Sequence, residues 1–300
     1  MGVVSAPRSR PVERGIEFFL RASAAIGIVT TVGIVAVLVV EALLFFAEVS
    51  PLDFFTGTRW SASIQPYAFG IVPLIVSTLM IAAIALLIAV PLGILAAVWM
   101  SEFANARSRN LVKPVLEILA GIPTIVYGFF AITVITPLLK ATILPELGTF
   151  SALSAGIVVG ILILPLIASL TEDALRAVPR GLREGAYAMG ATRWETVRKV
   201  LLPAAISGIA AAVILAMSRA VGETMAVVLA AGTNPNLTFN PMDSVQTMTA
   251  FIVQISLGDT PADSIQFKAL FAVGATLFAM TFALNLISTW VVAKYRNEYD

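Results

Sequence analysis

The chain has 300 residues, 59% of them hydrophobic and only 12% charged, where soluble domains carry about 25% charged residues. A formal net charge of +1 gives no electrostatic footprint for nucleic acid, and with no cysteine and no histidine there are no disulfides, thiol nucleophiles or imidazole bases. Several apolar runs exceed the ~20 residues that cross a ~30 Å hydrocarbon core, and they are continuous rather than alternating, which excludes a β-barrel.

The expected fold is therefore all-α: a polytopic helical membrane protein with six spans, at about 22–47, 72–100, 114–138, 151–170, 205–232 and 267–293. Residues 1–21 read as a cytoplasmic N-terminal tail, and 22–300 as one transmembrane domain. The first span has an apolar core longer than the h-region of a leader peptide, so it is expected to stay in the protein.

Basic residues set the orientation. Arg8, Arg10, Arg14 and Arg21 precede span one; Arg107, Arg109 and Lys113 follow span two. Arg176, Arg180, Arg183, Arg193, Arg198 and Lys199 follow span four, and Lys294 and Arg296 follow span six. The opposite side holds Arg59, Lys140 and Lys268, and fifteen against three places both termini in the cytoplasm. Spans two and three carry Pro73, Pro91, Pro114, Gly121, Pro123 and Gly128, which kink helices or let them approach, for packing or to shape a pathway.

The polar interruption after span four, about 171–204, has its own grammar. Thr171-Glu172-Asp173 reads as a helix start, with acids where first-turn amides favour negative charge. Pro179-Arg180-Gly181 breaks the chain, and Leu182 to Met189 reads as a short helix closed by Gly190 in the left-handed region. Thr192-Arg-Trp-Glu195 is a capping-box pattern that starts another helix toward Leu202-Pro203.

Span five contains two charges, Arg219 and Glu223. Each costs about 2.5–3.5 kcal/mol at the bilayer centre, so an ionisable residue there is a candidate site. A spacing of four on one helix predicts an ion pair. Two readings stand: a buried bridge that fixes packing, or a pathway arginine whose planar fork binds a tetrahedral oxyanion while the glutamate offsets its field. Glu41 and Glu117 lie near span ends and are read as reaching the interface.

Two of these segments resemble a known family. Glu184-Gly185-Ala186, with Gly190 six positions after the glutamate and Val200-Leu-Leu202-Pro203 beyond, resembles the "EAA" loop of ABC-importer permeases. That family prefers alanine at 185 and isoleucine at 200. Arg219-Ala-Val-Gly-Glu223-Thr-Met-Ala-Val resembles the C-type permease subunit of phosphate importers, a likeness running from about Phe69 to the C-terminus. It implies a MetI-like fold in a bacterial inner membrane, an A-type permease partner, two copies of an ABC ATPase and an extracytoplasmic phosphate-binding protein. Carried over, Glu184, Gly185, Ala186, Gly190, Leu202 and Pro203 dock the ATPase, and Arg219 and Glu223 belong to the substrate pathway or its gate.

An ATP-driven machine also suits the energetics. Importing one negative charge against an inside-negative potential costs about 2.3 kcal/mol per 100 mV, and a divalent phosphate needs twice that. The chain has no Gly-rich Lys-Ser/Thr phosphate loop, so no cofactor is expected in it; ATP and magnesium would sit in the partner ATPase. The outer segment 233–266 has no lysine or arginine; Asp243, Met248, Phe251 and Asp259 are its candidate contacts with the binding protein or outer gate. Val245, Met248, Phe251, Ile252 and Ile255 recur at helical spacing, predicting an amphipathic helix along the outer membrane surface. An intramembrane enzyme lacks its nucleophiles and bases, and an ion-coupled carrier would be expected to show an internal repeat, which is not evident here. Sulfate, molybdate or phosphonate remain as alternative cargoes.

Overall fold

Inside a bilayer no water satisfies the peptide groups, so each apolar run must close its own hydrogen bonds as a helix. The computed structural model describes residues 11–62 and 64–295, and helices account for most of them. Helix α1 (Pro11–Phe46) is followed by the short α2 (Pro51–Thr56) and a small antiparallel hairpin, β1 (Trp60–Ser61) with β2 (Ala68–Phe69). Helix α3 (Val72–Val98) continues through a π-helical turn at Trp99–Phe103. Then come α4 (Ala106–Gly121), α5 (Thr124–Phe130), a π-helical turn at Ala131–Ile135 and α6 (Thr136–Thr142). The long α7 (Ala152–Ala177) leads to α8 (Arg180–Ala188), α9 (Arg193–Thr196), a third π-helical turn at Val197–Leu201 and α10 (Leu202–Ala204). Helices α11 (Ile206–Val221), α12 (Met225–Ala231), α13 (Met248–Leu257) and α14 (Ile265–Tyr295) complete the described chain.

Among the described residues five helical segments are long and apolar enough to cross a membrane, and a sixth forms if the bent pair 193–204 and 206–221 counts as one. The predicted spans hold with four corrections. Helix α1 begins at Pro11, so much of the expected tail is helical; residues 1–10 lie outside the described residues. Span three is not 114–138 but 124–142, because Ile122 and Pro123 are extended and separate α4 from it. The predicted helix start at Thr171 does not exist: α7 runs unbroken to Ala177 and carries Glu172 within it. Span five is interrupted at Gly222–Thr224.

Packing centres on α3 and α7. In lipid no hydrophobic force drives one helix onto another, so close contact between small residues must do it. Ala82, Ala85 and Ala89 of α3 meet Ala155, Val158, Val159 and Ile163 of α7 in one buried cluster, to which α5, α11 and α12 also contribute. The approach is close enough that a Cβ on Gly156 would lie 2.5 Å from the Ile84 Cγ2. Two satellite clusters cap the bundle. At the end carrying the basic loops, Val98, Leu175, Val178, Val197 and Leu201 join α3, α7 and the segment before α11. At the opposite end, Phe45, Phe54, Trp60, Leu74, Met248, Phe251 and Val273 pack together, with the Trp60 and Phe251 rings edge to face at 4.8 Å.

That last cluster corrects a further expectation. Helix α13 does form where the spacing predicts it, but Met248, Phe251 and Ile255 are buried against protein, not laid on a lipid surface. The aromatic groups of α1, α2 and β1 supply an apolar surface that periodicity along α13 cannot reveal. Much of α1, by contrast, exposes apolar side chains such as Ile26, Val29 and Val32, as a lipid-facing helix should.

Candidate functional site

Beyond Pro179 the loop between the fourth and fifth spans follows its sequence signals, although α8 starts at Arg180 and not at Leu182. Helix α8 ends in a Schellman closure: the Gly190 N–H donates to the Tyr187 carbonyl at 2.9 Å, and the Ala191 N–H to the Ala186 carbonyl at 3.1 Å. Gly190 has φ +82°, the left-handed region that only glycine enters freely. Thr192 and Glu195 then form a complete capping box at the start of α9. Backbone and hydroxyl donation from Thr192, with Lys199 nearby, holds the Glu195 carboxyl below the usual carboxylate range. Glu184 and Gly185 are exposed, and Glu184 has no partner among the described residues. Leu202 and Pro203 line an open cavity of about 530 Å³ with Ile94, Arg198, Ile206 and Ile209.

Three large apolar side chains missed at the sequence level stand out on this loop. Met189 is 89% exposed, Trp194 54% and Tyr187 43%. They flank the glycine turn, and the signal for them was available: apolar residues inside an otherwise polar, capped loop. The loop is anchored to the bundle through Arg183, which donates to the Leu175 carbonyl at 2.6 Å and pairs with Glu102 at 3.1 Å, both partners being largely buried. Glu102 sits on the π-helical turn that ends α3.

The predicted Arg219–Glu223 ion pair is absent. Helix α11 stops at Val221, and Gly222, a poor helix former, lets the chain turn. Glu223, 8% exposed, instead accepts a hydrogen bond from the Ala226 N–H at 3.3 Å, placing its charge at the amide end of α12. Its carbonyl accepts from the Thr249 hydroxyl at 2.8 Å, tying α13 to the break. Glu223 is thus a joint between three helices. Arg219 has no ion-pair partner within 4.0 Å among the described residues. Its side chain lines a cavity of about 170 Å³ together with Lys113, Glu117, Ser169 and Glu172.

Glu172 is fully buried and balanced by cations from two helices. Arg109 of α4 reaches its Oε1 at 2.8 Å, Arg176 reaches the same oxygen at 3.2 Å, and Lys113 approaches Oε2 at 3.6 Å. This cluster pins the otherwise unburied α4 to α7. Replacing the carboxylate removes the anchor and leaves three partly exposed cations without their shared counter-ion. Glu172→Gln is therefore expected to lower stability by about 2–4 kcal/mol, read as a fall in the melting temperature of the detergent-solubilised protein. An unchanged melting temperature would show that α4 is held by other contacts.

At the far end of the bundle the four candidate outer residues divide. Asp243 accepts from the Thr238 hydroxyl at 2.6 Å and the Asn240 amide at 2.8 Å, while its carbonyl accepts from the Ala152 N–H; it holds a loop against the start of α7. Met248 and Phe251 are buried and present no surface, which corrects the contact half of their assignment and leaves the outer-gate half standing. Asp259 is exposed on the turn after α13.

Residues 89–297 match the family described as binding-protein-dependent transport system inner membrane component. Among relatives, the probable ABC transporter permease protein YqgH of Bacillus subtilis is 36% identical over 297 residues, covering 97% of this chain and 95% of that protein. The phosphate transport system permease protein PstC of Mesorhizobium japonicum is 33% identical over 263 residues, 81% of this chain and 78% of that one. A solved chain of the MetNI methionine ABC transporter, in an inward-facing conformation, superposes with a TM-score of 0.58. It covers 76% of this chain and 95% of its own length at 23% identity, a likeness of fold.

Proposed function

The chain belongs to the binding-protein-dependent transport system inner membrane component family, and from that premise we propose that it is one permease subunit of an ATP-driven importer of inorganic phosphate. The observation that carries the cargo class is Arg219: a guanidinium in a membrane span, with no ion-pair partner within 4.0 Å among the described residues, facing a cavity. An unpaired intramembrane charge is costly unless water or a ligand reaches it. Its planar donors suit a tetrahedral oxyanion. Phosphate as the particular anion is supported by the likeness to PstC, a phosphate transport system permease protein, while YqgH is described only as a probable ABC transporter permease.

In this reading the basic end of the bundle is cytoplasmic, as the excess of arginine and lysine there favours. The loop 178–205 docks a separate ATPase through Met189, Tyr187 and Trp194, with the Gly190 turn holding them in place. Glu184, Gly185 and Ala186 form the exposed side and closing carbonyl of that helix, and Leu202 and Pro203 border the groove beside it. ATP and magnesium belong to the ATPase, which is present in two copies. One chain supplies one docking loop, so a second permease, an A-type homologue, completes the pathway. An extracytoplasmic phosphate-binding protein delivers the anion to the opposite end. There Asp259→Cys is expected to crosslink to it in the cycling complex, whereas Phe251→Cys, buried, is not; the reverse pattern would remove the outer face from the account.

Arg183 is the mechanical link in this scheme, because it alone ties the docking helix to both Glu102 and the α7 backbone among the described polar contacts. Arg183→Gln is expected to leave ATPase copurification intact but to cut phosphate moved per ATP hydrolysed by about tenfold. Unchanged stoichiometry would mean that motion reaches the bundle another way. The cargo itself is tested by competition. Uptake of labelled phosphate by the reconstituted importer should resist excess sulfate, molybdate and a phosphonate, and block by one of these at equal concentration would transfer the assignment to that anion.

A further inference from the structure

Two cations, Lys113 and Arg219, line this cavity, and two more, Arg109 and Arg176, reach its wall through Glu172; the four are not equally engaged. Arg109 and Arg176 both bind Oε1 of Glu172, at 2.8 and 3.2 Å. Lys113 approaches Oε2 at 3.6 Å, beyond hydrogen-bonding distance, and that buried oxygen has no hydrogen-bond partner. Two arginines therefore already neutralise Glu172, and the lysine is the loosest member of the cluster. Lys113 and Arg219 also line the same cavity, from α4 and α11. Counting the groups at this place, four positive charges (Arg109, Lys113, Arg176, Arg219) against two negative (Glu117, Glu172) leave a net charge of +2.

We infer that Lys113 is a second anion-binding residue of the pathway, receiving a small tetrahedral oxyanion from Arg219 on its way to the basic end of the bundle. This rests on the reading of Arg219 as a pathway residue. The chemistry divides the work between the two side chains. Arginine offers a fixed fork that orients the anion, while lysine is a point charge on a flexible four-carbon stem, able to turn between two partners. When the stem swings from Glu172 to the anion, Arg109 and Arg176 keep that carboxylate balanced, so no buried charge is left alone. A net charge of +2 offsets a dianion. The weak hold on Lys113 in its resting position also lets the anion leave, since a conduit must bind loosely enough to release.

The chain has no cysteine, so Lys113→Cys introduces its single thiol. The complete importer carrying this variant, reconstituted with its ATPase and binding protein, should take up phosphate about tenfold more slowly. Reaction of the thiol with a cationic aminoethyl methanethiosulfonate should restore most of the uptake, the neutral methyl reagent should restore none, and millimolar inorganic phosphate should slow the modification. The importer without the variant, treated identically, accounts for thiols on the partners. Wild-type uptake in Lys113→Cys, equal rescue by both reagents, or a fall in melting temperature that alone accounts for the lost uptake would overturn the inference. Arg219→Gln keeps the two readings apart. If it transports normally the pathway arginine falls, and Lys113 with it; if it is inactive while Lys113→Cys is normal, only the role of Lys113 falls.

Discussion

Arg219→Gln is expected to abolish phosphate uptake while the complex still assembles. Two charge-assisted hydrogen bonds to the anion are worth about 1.5–3 kcal/mol each, so losing both lowers transport by at least about a hundredfold. Arg219→Lys keeps the charge without the fork and should retain a small part of the activity. The structure sharpens what happens at Glu223. Because Glu223 bonds to the Ala226 amide and not to Arg219, removing it cannot relieve an unpaired arginine. Arg219→Gln with Glu223→Gln should therefore remain inactive, and Glu223→Gln alone should act on stability around the α11–α12 break. The measurement is uptake normalised to assembled complex for both single variants and the double. Recovery of uptake in the double variant would mean that the two residues do pair in a working state and only hold helices together.

Gly190→Val should uncouple the chain from its ATPase. At φ +82° a β-branched residue is strained by about 1–3 kcal/mol. The space around Gly190 is open, with nothing within 4 Å of an added Cβ, so the penalty is purely that of the backbone. The Schellman closure would yield first, moving Met189 and Tyr187 off their positions. Association with the ATPase should weaken about ten- to a hundredfold, while insertion into the membrane is unaffected. Gly190→Asn is the control: asparagine tolerates the left-handed region, so most of the binding should return. Copurification of the valine variant at full yield would show that this turn does not shape the docking surface.

Local signals are legible in the sequence because their causes are local. The glycine turn at 190 and the capping box at 192–195 depend on residues within a few positions, and both form as the sequence predicts. Continuous apolar runs likewise marked the spans, since lipid leaves the helix no alternative. What failed was long-range. Thr171-Glu172-Asp173 has the composition of a helix start, yet Glu172 lies inside α7 toward its C-terminal end, and its Arg109 partner is 63 positions away. Spacing of four predicted a bridge between Arg219 and Glu223, but the rule holds only within an unbroken helix, and Gly222 ends it. The period of α13 was visible, while the surface it packs on, built from Phe45, Phe54 and Trp60, comes from the other end of the chain. The exposure of Met189 and Trp194 depends on how α8 and α9 sit against the bundle, which caps and turns within the loop do not encode.

The most direct test is transport by the purified importer in sealed vesicles, with this permease, its permease partner, the ATPase, the binding protein and ATP on the side of the docking loop. Labelled phosphate is predicted to accumulate inside the equivalent of the cell, above its external concentration. Accumulation should stop when ATP or the binding protein is omitted. Equilibration of phosphate without ATP, or accumulation driven by an imposed ion gradient with this chain alone, would contradict the account.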